Sequence, residues 1–305
     1  MRFGIMTMQK GALIPAGASA AGGSAAEALA ALSSLDHAAI ARDLFRHGFD
    51  PIELGGDMAL FFPQSFAPDT VERLAALKAE TGLAYTVHLP LWSTEPSTPL
   101  APVREGSVQA LVDIVQRTLP LAPEVYVLHA TGALAAEFYH MGLPNLAQRF
   151  VLGQFQAAAA RSVVAILEQT GLESRRLAIE TIEFPLDLTL ALAEDLDLSL
   201  CLDVGHILAG FSGDVSFFDA LELCLPRLAE VHLHDAPQWQ PGQPLGYGTD
   251  HHPLGSGDLD VARLLGRLEE AGFAGPIIFE LTVEEALASM AVIRHLRPQY
   301  TTRRS

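Results

Sequence analysis

The pattern that most limits the fold is an eightfold alternation of short apolar runs with longer amphipathic stretches. The runs are typical of buried parallel strands, and the stretches between them have the spacing typical of helices. Eight strands, each followed by a helix, predict an α/β fold consisting of a single (β/α)8 TIM barrel. The strand-like runs are Arg2–Thr7, Pro51–Leu54, Ala84–Leu89, Glu124–His129, Leu177–Thr181, Leu198–Val204, Ala229–His234 and Pro276–Leu281. The helical stretches are Asp36–His47, Asp69–Thr81, Pro102–Leu119, Asn145–Thr170, Leu186–Asp195, Ser216–Leu225, Leu259–Ala271 and Val283–His295.

The rival architecture is an open doubly wound sheet, but no Gly-x-Gly-x-x-Gly motif follows the first strand. One barrel takes roughly 250 residues, so residues 1–305 are predicted to form one domain. The Ala/Gly-rich segment 11–34 is expected to be a flexible loop insertion, and 297–305 a frayed basic tail. The stretch 235–257 is predicted to form a long loop after the seventh strand, at the end where barrels carry active sites.

Charge and composition restrict the partners. The chain has 19 Lys and Arg against 36 Asp and Glu, a net charge of −17. General nucleic-acid binding is disfavoured because it depends on basic residues that neutralise phosphates. Apolar runs shorter than ~18 residues predict no membrane span. Cys201 and Cys224 are too few for a disulfide framework, so the chain is expected to be unprocessed and cytoplasmic; its oligomeric state is left open.

Polar residues able to bind metal end one predicted strand after another. They are His88, His129, Glu180, Asp203, His232 and Glu280. Each alone has an ordinary explanation, such as a hydrogen-bonded core histidine or a helix cap. Together, three carboxylates and three imidazoles in one barrel mouth would be prohibitively costly to bury without charge compensation. A divalent cation is the simplest compensation, and mixed His, Asp and Glu ligation suits Zn²⁺ or Mn²⁺.

Further candidates lie close to these strand ends and in the long loop. His206 follows Asp203 by three residues, so a turn could aim both side chains inward; the alternative is a surface histidine at a helix start. The loop segment from Thr249 to Asp258 reads Thr-Asp-His-His-Pro-Leu-Gly-Ser-Gly-Asp. Its proline and glycines indicate a fixed conformation that aims Asp250, His251 and His252 at the mouth; the alternative is that the His pair is simply solvated.

Three residues are expected to support the site or contact substrate. Asp235 is expected to orient a ligand histidine, with a turn that opens the long loop as the alternative. His234 belongs to the same His-Leu-His-Asp segment as His232. Glu53 ends the second strand and either lines the substrate site or has a structural role. Cys201 is interpreted as barrel packing.

These motifs resemble the xylose isomerase-like TIM-barrel superfamily, also called the apurinic endonuclease family 2 superfamily. The metal-binding core of that superfamily, on strands five to eight, corresponds here to Glu180, Asp203, His232 and Glu280. The ligand pattern is most similar to that of the type-IV apurinic endonucleases, which hold three metals; the additional matches are His88, His129, His206 and His251. One ligand departs from that pattern, because Thr249 stands where the motif has Asp, with Asp250 one place along. The resemblance therefore implies two ions bridged by Glu180 and leaves a third open.

A narrower resemblance concerns function. The opening Arg-Phe-Gly-Ile-Met-Thr, the His-Leu-His-Asp and the Asp-His-His-Pro-Leu-Gly-Ser-Gly resemble a cobamide-remodelling phosphodiesterase family. This resemblance implies hydrolysis of a soluble, nucleotide-like substrate, such as the nucleotide loop of a corrinoid, with Glu180, His206 and Glu280 as catalytic residues. The alternative is a sugar or sugar-phosphate isomerase or epimerase using one divalent metal, in which Glu180 and Glu280 exchange a proton with carbon. A non-catalytic metal-binding barrel is a third hypothesis.

Overall fold

Eight parallel strands hydrogen-bond to one another in chain order, and the last pairs with the first to close a barrel. The computed structural model describes residues 1–8, 35–243, 245 and 248–300. The strands are β1 (Arg2–Met6), β2 (Ile52–Gly55), β3 (Tyr85–His88), β4 (Tyr126–Leu128), β5 (Leu177–Glu180), β6 (Ser199–Asp203), β7 (Leu228–Leu233) and β8 (Pro276–Phe279). All eight predicted strands are present, and the (β/α)8 prediction is confirmed.

The helices surround this barrel. Within the described residues they are α1 (His37–Arg46), α2 (Met58–Phe61), α3 (Pro68–Thr81), α4 (Ala101–Thr118), α5 (Ala133–His140), α6 (Asn145–Thr170), α7 (Leu186–Asp195), α8 (Val204–Leu208), α9 (Phe217–Cys224), α10 (Val261–Glu270) and α11 (Val283–Leu296). Eight match the predicted helices to within about two residues. The three short helices α2, α5 and α8 were not predicted; each follows a strand on the side of the barrel mouth.

Strand alternation separates two cores. Outward-facing side chains such as Tyr85 and Leu200 are fully buried against the helices. Inside the barrel, Val127, Ala178 and Cys201 form a small apolar layer. Burial raises the pKa of the Cys201 thiol well above its ordinary value, as expected for a packing residue. This layer closes the barrel below the strand ends, so polar side chains one pleat higher face the mouth.

Helix α6 is the one helix among the described residues with the length and apolar composition of a membrane span. In the structure it is an outer helix of the barrel. It packs against α4 and buries Phe155, Val163 and Ile166. Core packing thus accounts for part of its apolar composition, while Leu146 and Phe150 near its start are exposed.

The two predicted flexible segments differ in outcome. The expected loop 11–34 lies outside the described residues. The tail was expected to fray from Arg297, which is wrong for residues 297–300. The Tyr300 hydroxyl donates to Glu269 Oε1 at 2.8 Å, and its ring lies edge-on to Phe3 at 5.4 Å. Residues 301–305 lie outside the described part of the chain.

Candidate metal centre

Six metal-capable side chains meet at the carboxyl end of the barrel. His88, Glu180 and Asp203 are the last residues of β3, β5 and β6. His232 is paired with Asp203 across β6 and β7. The two others follow the ends of β4 and β8 directly; they are His129 and Glu280. Because all eight strands are parallel, these positions share one mouth.

Glu180 lies at the centre of this group, and its two oxygens face different partners. Oε2 is 3.1 Å from His88 Nε2 and 2.9 Å from His129 Nε2. Oε1 is 3.3 Å from His232 Nδ1 and 3.6 Å from His206 Nδ1. The carboxylate therefore separates one pair of histidines from the other.

Two groups of donor atoms share this carboxylate, and a further group joins His88 to His232 and Glu280. His88, His129 and Glu180 each offer an atom within 4.8 Å of the others, and so do Glu180, Asp203, His232 and Glu280. In the second group, His232 Nδ1 lies 3.5 Å from Glu280 Oε1 and 3.9 Å from Asp203 Oδ2. This nitrogen is buried and has no hydrogen-bond partner.

The electrostatics of the cluster favour a bound cation. Burial raises the pKa of Glu180, but His129 and His232 outweigh it and hold that pKa well below its ordinary value. The same opposition between burial and His232 holds the pKa of Glu280 well below its ordinary value. Burial lowers the pKa of His88, but Glu180 outweighs it and raises the pKa to about 9. Glu180 and Glu280 thus favour positive charge beside them, which a divalent cation would supply.

His206 enters the mouth from the first turn of α8. The Asp203 side chain accepts from the His206 backbone N–H at 2.7 Å and so begins this short helix. His206 Nδ1 lies 3.2 Å from the Thr181 carbonyl oxygen, and its Nε2 lies 3.7 Å from Asp250 Oδ2. The predicted inward turn is thus present, and the surface alternative is wrong because the ring is mostly buried.

The long loop brings His251 to the same mouth in a left-handed conformation, with φ of 58°. Its Nδ1 lies 3.1 Å from Asp250 Oδ2, and its Nε2 lies 3.2 Å from Glu280 Oε2. Burial lowers the pKa of His251, but both carboxylates outweigh it and raise the pKa to about 11. Asp250 thus lies between His206 and His251, one residue along from Thr249. A left-handed non-glycine residue costs of order 1–3 kcal/mol and is typical of functional sites.

His234 supports the cluster from below. The His251 backbone N–H donates to His234 Nδ1 at 2.8 Å, which leaves the His234 Nε2–H to face Asp203 Oδ2 at 3.0 Å. The imidazole rings of His234 and His251 stack, with their centroids 4.0 Å apart. His234 therefore fixes both a carboxylate of the cluster and the backbone of the loop. His252, by contrast, has an exposed side chain and joins the loop only through its backbone pairing with Asp235.

The expected role of Asp235 is wrong. No histidine side chain of the described residues contacts its carboxylate, which instead accepts from four backbone N–H groups of the loop. The donors are Ala236, Gly255, Gly257 and Leu259, at 2.9–3.0 Å. Local sequence could not show this, because three of the donors lie 20 to 24 residues further along the chain. The turn interpretation is closer, since Asp235 holds the loop that carries His251.

Replacing Asp235 with alanine is expected to lower the free energy of unfolding by about 3 kcal/mol or more. The change leaves four backbone N–H groups without their acceptor, two of them in buried hydrogen bonds. Urea unfolding of the variant would measure this loss. The matched control is Asp258→Ala, since Asp258 is exposed and accepts from one loop N–H, that of Gln238, at 2.8 Å. The control is expected to lose less than about 1 kcal/mol. Equal losses in both variants would contradict the anchoring role.

Two further carboxylates lie beneath His232. Glu53 and Glu230 are fully buried, and Thr86 Oγ1 lies 3.3 Å from Glu53 Oε2 and 3.2 Å from Glu230 Oε1. His232 Nε2 lies 3.4 Å from Glu53 Oε1 and 3.8 Å from Glu230 Oε1. Burial, then the charge of Glu53, raises the pKa of Glu230 well above its ordinary value.

This arrangement corrects one expectation and adds one residue. Glu53 does not line the mouth, because it is shielded below His232. Glu230 escaped the sequence analysis, although its position two residues before His232 places both on the inner face of β7. The sequence signal that could have identified Glu230 was a charged residue inside a predicted buried strand.

The donor set fits divalent cations. Imidazole nitrogens and carboxylate oxygens converge in two groups that share Glu180, and the buried His232 Nδ1 lacks a hydrogen-bond partner. Such mixed ligation is typical of Zn²⁺ and Mn²⁺ sites. A third group could form from His206, His234 and His251. Its His234 nitrogen already faces Asp203, so this group is less free to bind an ion.

Comparison with known proteins places this geometry in context. Residues 41–299 match the xylose isomerase-like TIM barrel family. An uncharacterized protein of Methanocaldococcus jannaschii is 23% identical over 259 residues, covering 81% of this chain and 80% of the relative. A D-tagatose 3-epimerase-like protein superposes with a TM-score of 0.68 at 18% identity, covering 97% of both chains. Endonuclease IV from Thermus thermophilus superposes with a TM-score of 0.64 at 18% identity, covering 98% of this chain and all of the other.

Proposed function

Because the chain belongs to the xylose isomerase-like TIM barrel family, we propose that it is a divalent-metal-dependent phosphodiesterase acting on a soluble, nucleotide-like substrate. The observation that carries the proposal is the position of Glu180. One of its oxygens faces His88 and His129, and the other faces His232. A carboxylate shared in this way suits a pair of ions that clamp one phosphate group.

The chain's residues have distinct roles in this proposal. His88 and His129 hold one ion, and the other is held by Asp203, His232 and Glu280. When bound, the two cations supply Lewis-acid activation of water and of the phosphate. Glu180 would serve as a ligand in both groups of donors. His206 and His251 border the same mouth and stabilise charge on the phosphate oxygens.

The expected metals are Zn²⁺ or Mn²⁺, since Mg²⁺ prefers fewer imidazoles. Whether a third ion binds depends on His206, Asp250 and His251. Asp250 Oδ2 is 3.1 Å from His251 Nδ1 and 3.7 Å from His206 Nε2. Asp250 would therefore supply the carboxylate oxygen that the threonine at position 249 does not offer.

We further propose a corrinoid substrate, with cleavage of its nucleotide loop at the phosphodiester. The support is the motif resemblance, including the His-Leu-His-Asp of β7 and the loop around His251. The net charge of −17 disfavours a long polyanion such as DNA. A small substrate with one phosphodiester is compatible with that charge, because the metal centre supplies the positive field locally.

The second candidate is a sugar or sugar-phosphate isomerase or epimerase. The observation that favours it is the resemblance to epimerases in fold; a 3-keto-D-glucoside 4-epimerase from E. coli superposes with a TM-score of 0.67 at 16% identity, covering 98% of this chain and 99% of that one. In this case a single ion would be held by Glu180, Asp203, His232 and Glu280. His88 and His129 would then contact substrate hydroxyls.

Metal stoichiometry tests the proposal directly. Protein purified without chelator and dialysed against Zn²⁺ or Mn²⁺ would be analysed by elemental analysis and assayed with cobalamin, generic phosphodiesters and a ketose panel. Two or more ions per chain with phosphodiester cleavage would support the hydrolase. One ion with ketose turnover, and no phosphodiester cleaved, would establish the isomerase instead.

Replacing Glu53 with glutamine is expected to weaken binding of the ion at His232 by about 10–100-fold, because it removes the carboxylate charge nearest to His232 Nε2, at 3.4 Å. Competition with a chromophoric chelator would measure the affinity. The matched control is Glu230→Gln, which leaves the closer Glu53 contact in place and is expected to change the affinity less than about threefold. An unchanged affinity in Glu53→Gln would contradict this electrostatic role of Glu53.

A further inference from the structure

An exposed aromatic pair lies in the segments that follow β2 and β3, two neighbouring strands of the barrel. Phe61 ends α2, directly after β2, and Trp92 follows His88 by four residues. Their rings lie 6.3 Å apart in an edge-to-face arrangement. Phe61 is 62% exposed and Trp92 57% exposed, so both offer aromatic surface to the solvent at the mouth. We call this pair the aromatic ledge.

The backbone beneath the ledge is firmly held. The buried carboxylate of Asp57 accepts from the backbone N–H of Leu91 at 2.9 Å and of Trp92 at 3.4 Å. The Thr94 hydroxyl donates to the Pro90 carbonyl oxygen at 2.8 Å. A buried charge thus fixes a loop whose largest side chain stays in water. Two adjacent aromatic rings held exposed on a fixed loop form the kind of surface that binding sites use.

The ledge belongs to a wider apolar sector. Nine of the eleven exposed large hydrophobic residues in the described part of the chain lie between residues 60 and 150. They are Leu60, Phe61, Trp92, Leu100, Val103, Leu134, Met141, Leu146 and Phe150. All of them follow β2, β3 or β4 in the chain, and His88 and His129 lie at the ends of two of these strands. Exposed apolar residues in the segments that follow strands carrying metal-capable histidines fit a ligand with an apolar part and a charged part.

We propose that the aromatic ledge is a subsite for a flat, uncharged ring system carried by the substrate of the metal centre. This inference rests on the proposed function for the position of the phosphodiester. Flat rings stack on exposed aromatic side chains, and each such stack contributes about 1–3 kcal/mol. The net charge of −17 favours an uncharged ring over an anionic group at this rim. The ring lies on the ledge while the phosphodiester reaches the ions.

Substrate preference tests the subsite. Ethyl p-nitrophenyl phosphate and 2-(1-naphthyl)ethyl p-nitrophenyl phosphate share a leaving group, so the ratio of their kcat/KM values reports only the second ester group. We expect the wild-type protein to prefer the naphthyl ester about tenfold, roughly the contribution of one stack. Trp92→Ala and Phe61→Ala are expected to bring the ratio close to one. The control Leu223→Ala removes a leucine 54% exposed on α9, across the barrel, and should leave the ratio unchanged.

A binding measurement separates this proposal from the proposed function. In a Trp239→Phe background, Trp92 is the sole tryptophan, and its fluorescence reports the ledge. Riboflavin, a flat uncharged probe, is expected to quench it saturably, whereas ribitol should not; free N-acetyltryptophanamide gives the collisional baseline. Phe61→Ala should weaken riboflavin binding about tenfold.

The outcomes are distinct. Saturable riboflavin binding without phosphodiester turnover would sink the proposed function and leave the subsite standing. Quenching no stronger than the collisional baseline, or a naphthyl preference retained in Trp92→Ala, would overturn the subsite. Sedimentation that shows a wild-type dimer converted to monomer by Trp92→Ala would also overturn it, since the ledge would then bind a second copy of the chain.

Discussion

Replacing Glu180 with alanine is expected to remove two ions together and to reduce turnover by several powers of ten. The reason is geometric, because one Glu180 oxygen faces His88 and His129 and the other faces His232. Each group of donors loses an oxygen when the shared carboxylate is removed. Elemental analysis and a phosphodiester assay on the same preparation would measure both effects.

The matched control for this variant is Glu168→Gln, which changes an exposed glutamate on α6. It is expected to retain the wild-type metal content and rate. A second variant, Glu180→Gln, keeps the volume of the side chain and so separates loss of ligation from loss of packing. Loss of a single ion from Glu180→Ala, with the other still bound, would contradict the shared role. So would retention of activity in either Glu180 variant.

The barrel could be predicted from sequence because its signals are local. Each strand is a short apolar run, and a polar residue marks where the run ends, as in the Leu-Ala-Ile-Glu that ends at Glu180. In a parallel barrel, all such ends meet at one mouth, so the position of a residue in its own strand predicts its neighbours in space. Asp203 and His232 could be brought together on this basis alone.

The residues that sequence analysis missed or misplaced depend on contacts far along the chain. The surroundings of Glu230 are formed by Glu53 and Thr86, which come from two other strands. The role of Asp235 depends on where the long loop returns, more than 20 residues later. Asp250 lies beside His206 because of how this loop folds around the left-handed His251. Spacing along the sequence does not report such three-dimensional paths.

The histidines of β3 and β4 separate the two candidate enzymes. In the phosphodiesterase, His88 and His129 hold an ion of their own. His129→Ala is then expected to leave the ion at His232 bound and to cut phosphodiester hydrolysis by several powers of ten, because one of two activating charges is lost. In an isomerase, these histidines only contact substrate hydroxyls. His129→Ala is then expected mainly to raise KM, with kcat falling modestly.

The two results differ in kind as well as in size, which makes His129→Ala the sharper of the tests. The assay would use cobalamin and generic phosphodiesters beside a panel of ketoses, with added Zn²⁺ or Mn²⁺. His140→Ala is the matched control, since His140 lies on α5 and faces Glu183 at 3.4 Å; it is expected to keep the full metal content. A His129→Ala variant that hydrolyses phosphodiesters at the wild-type rate with one ion bound would contradict the two-ion centre. Because Glu180 Oε2 lies 2.9 Å from His129 Nε2 and 3.1 Å from His88 Nε2, the remaining histidine and carboxylate alone should not hold the second ion tightly.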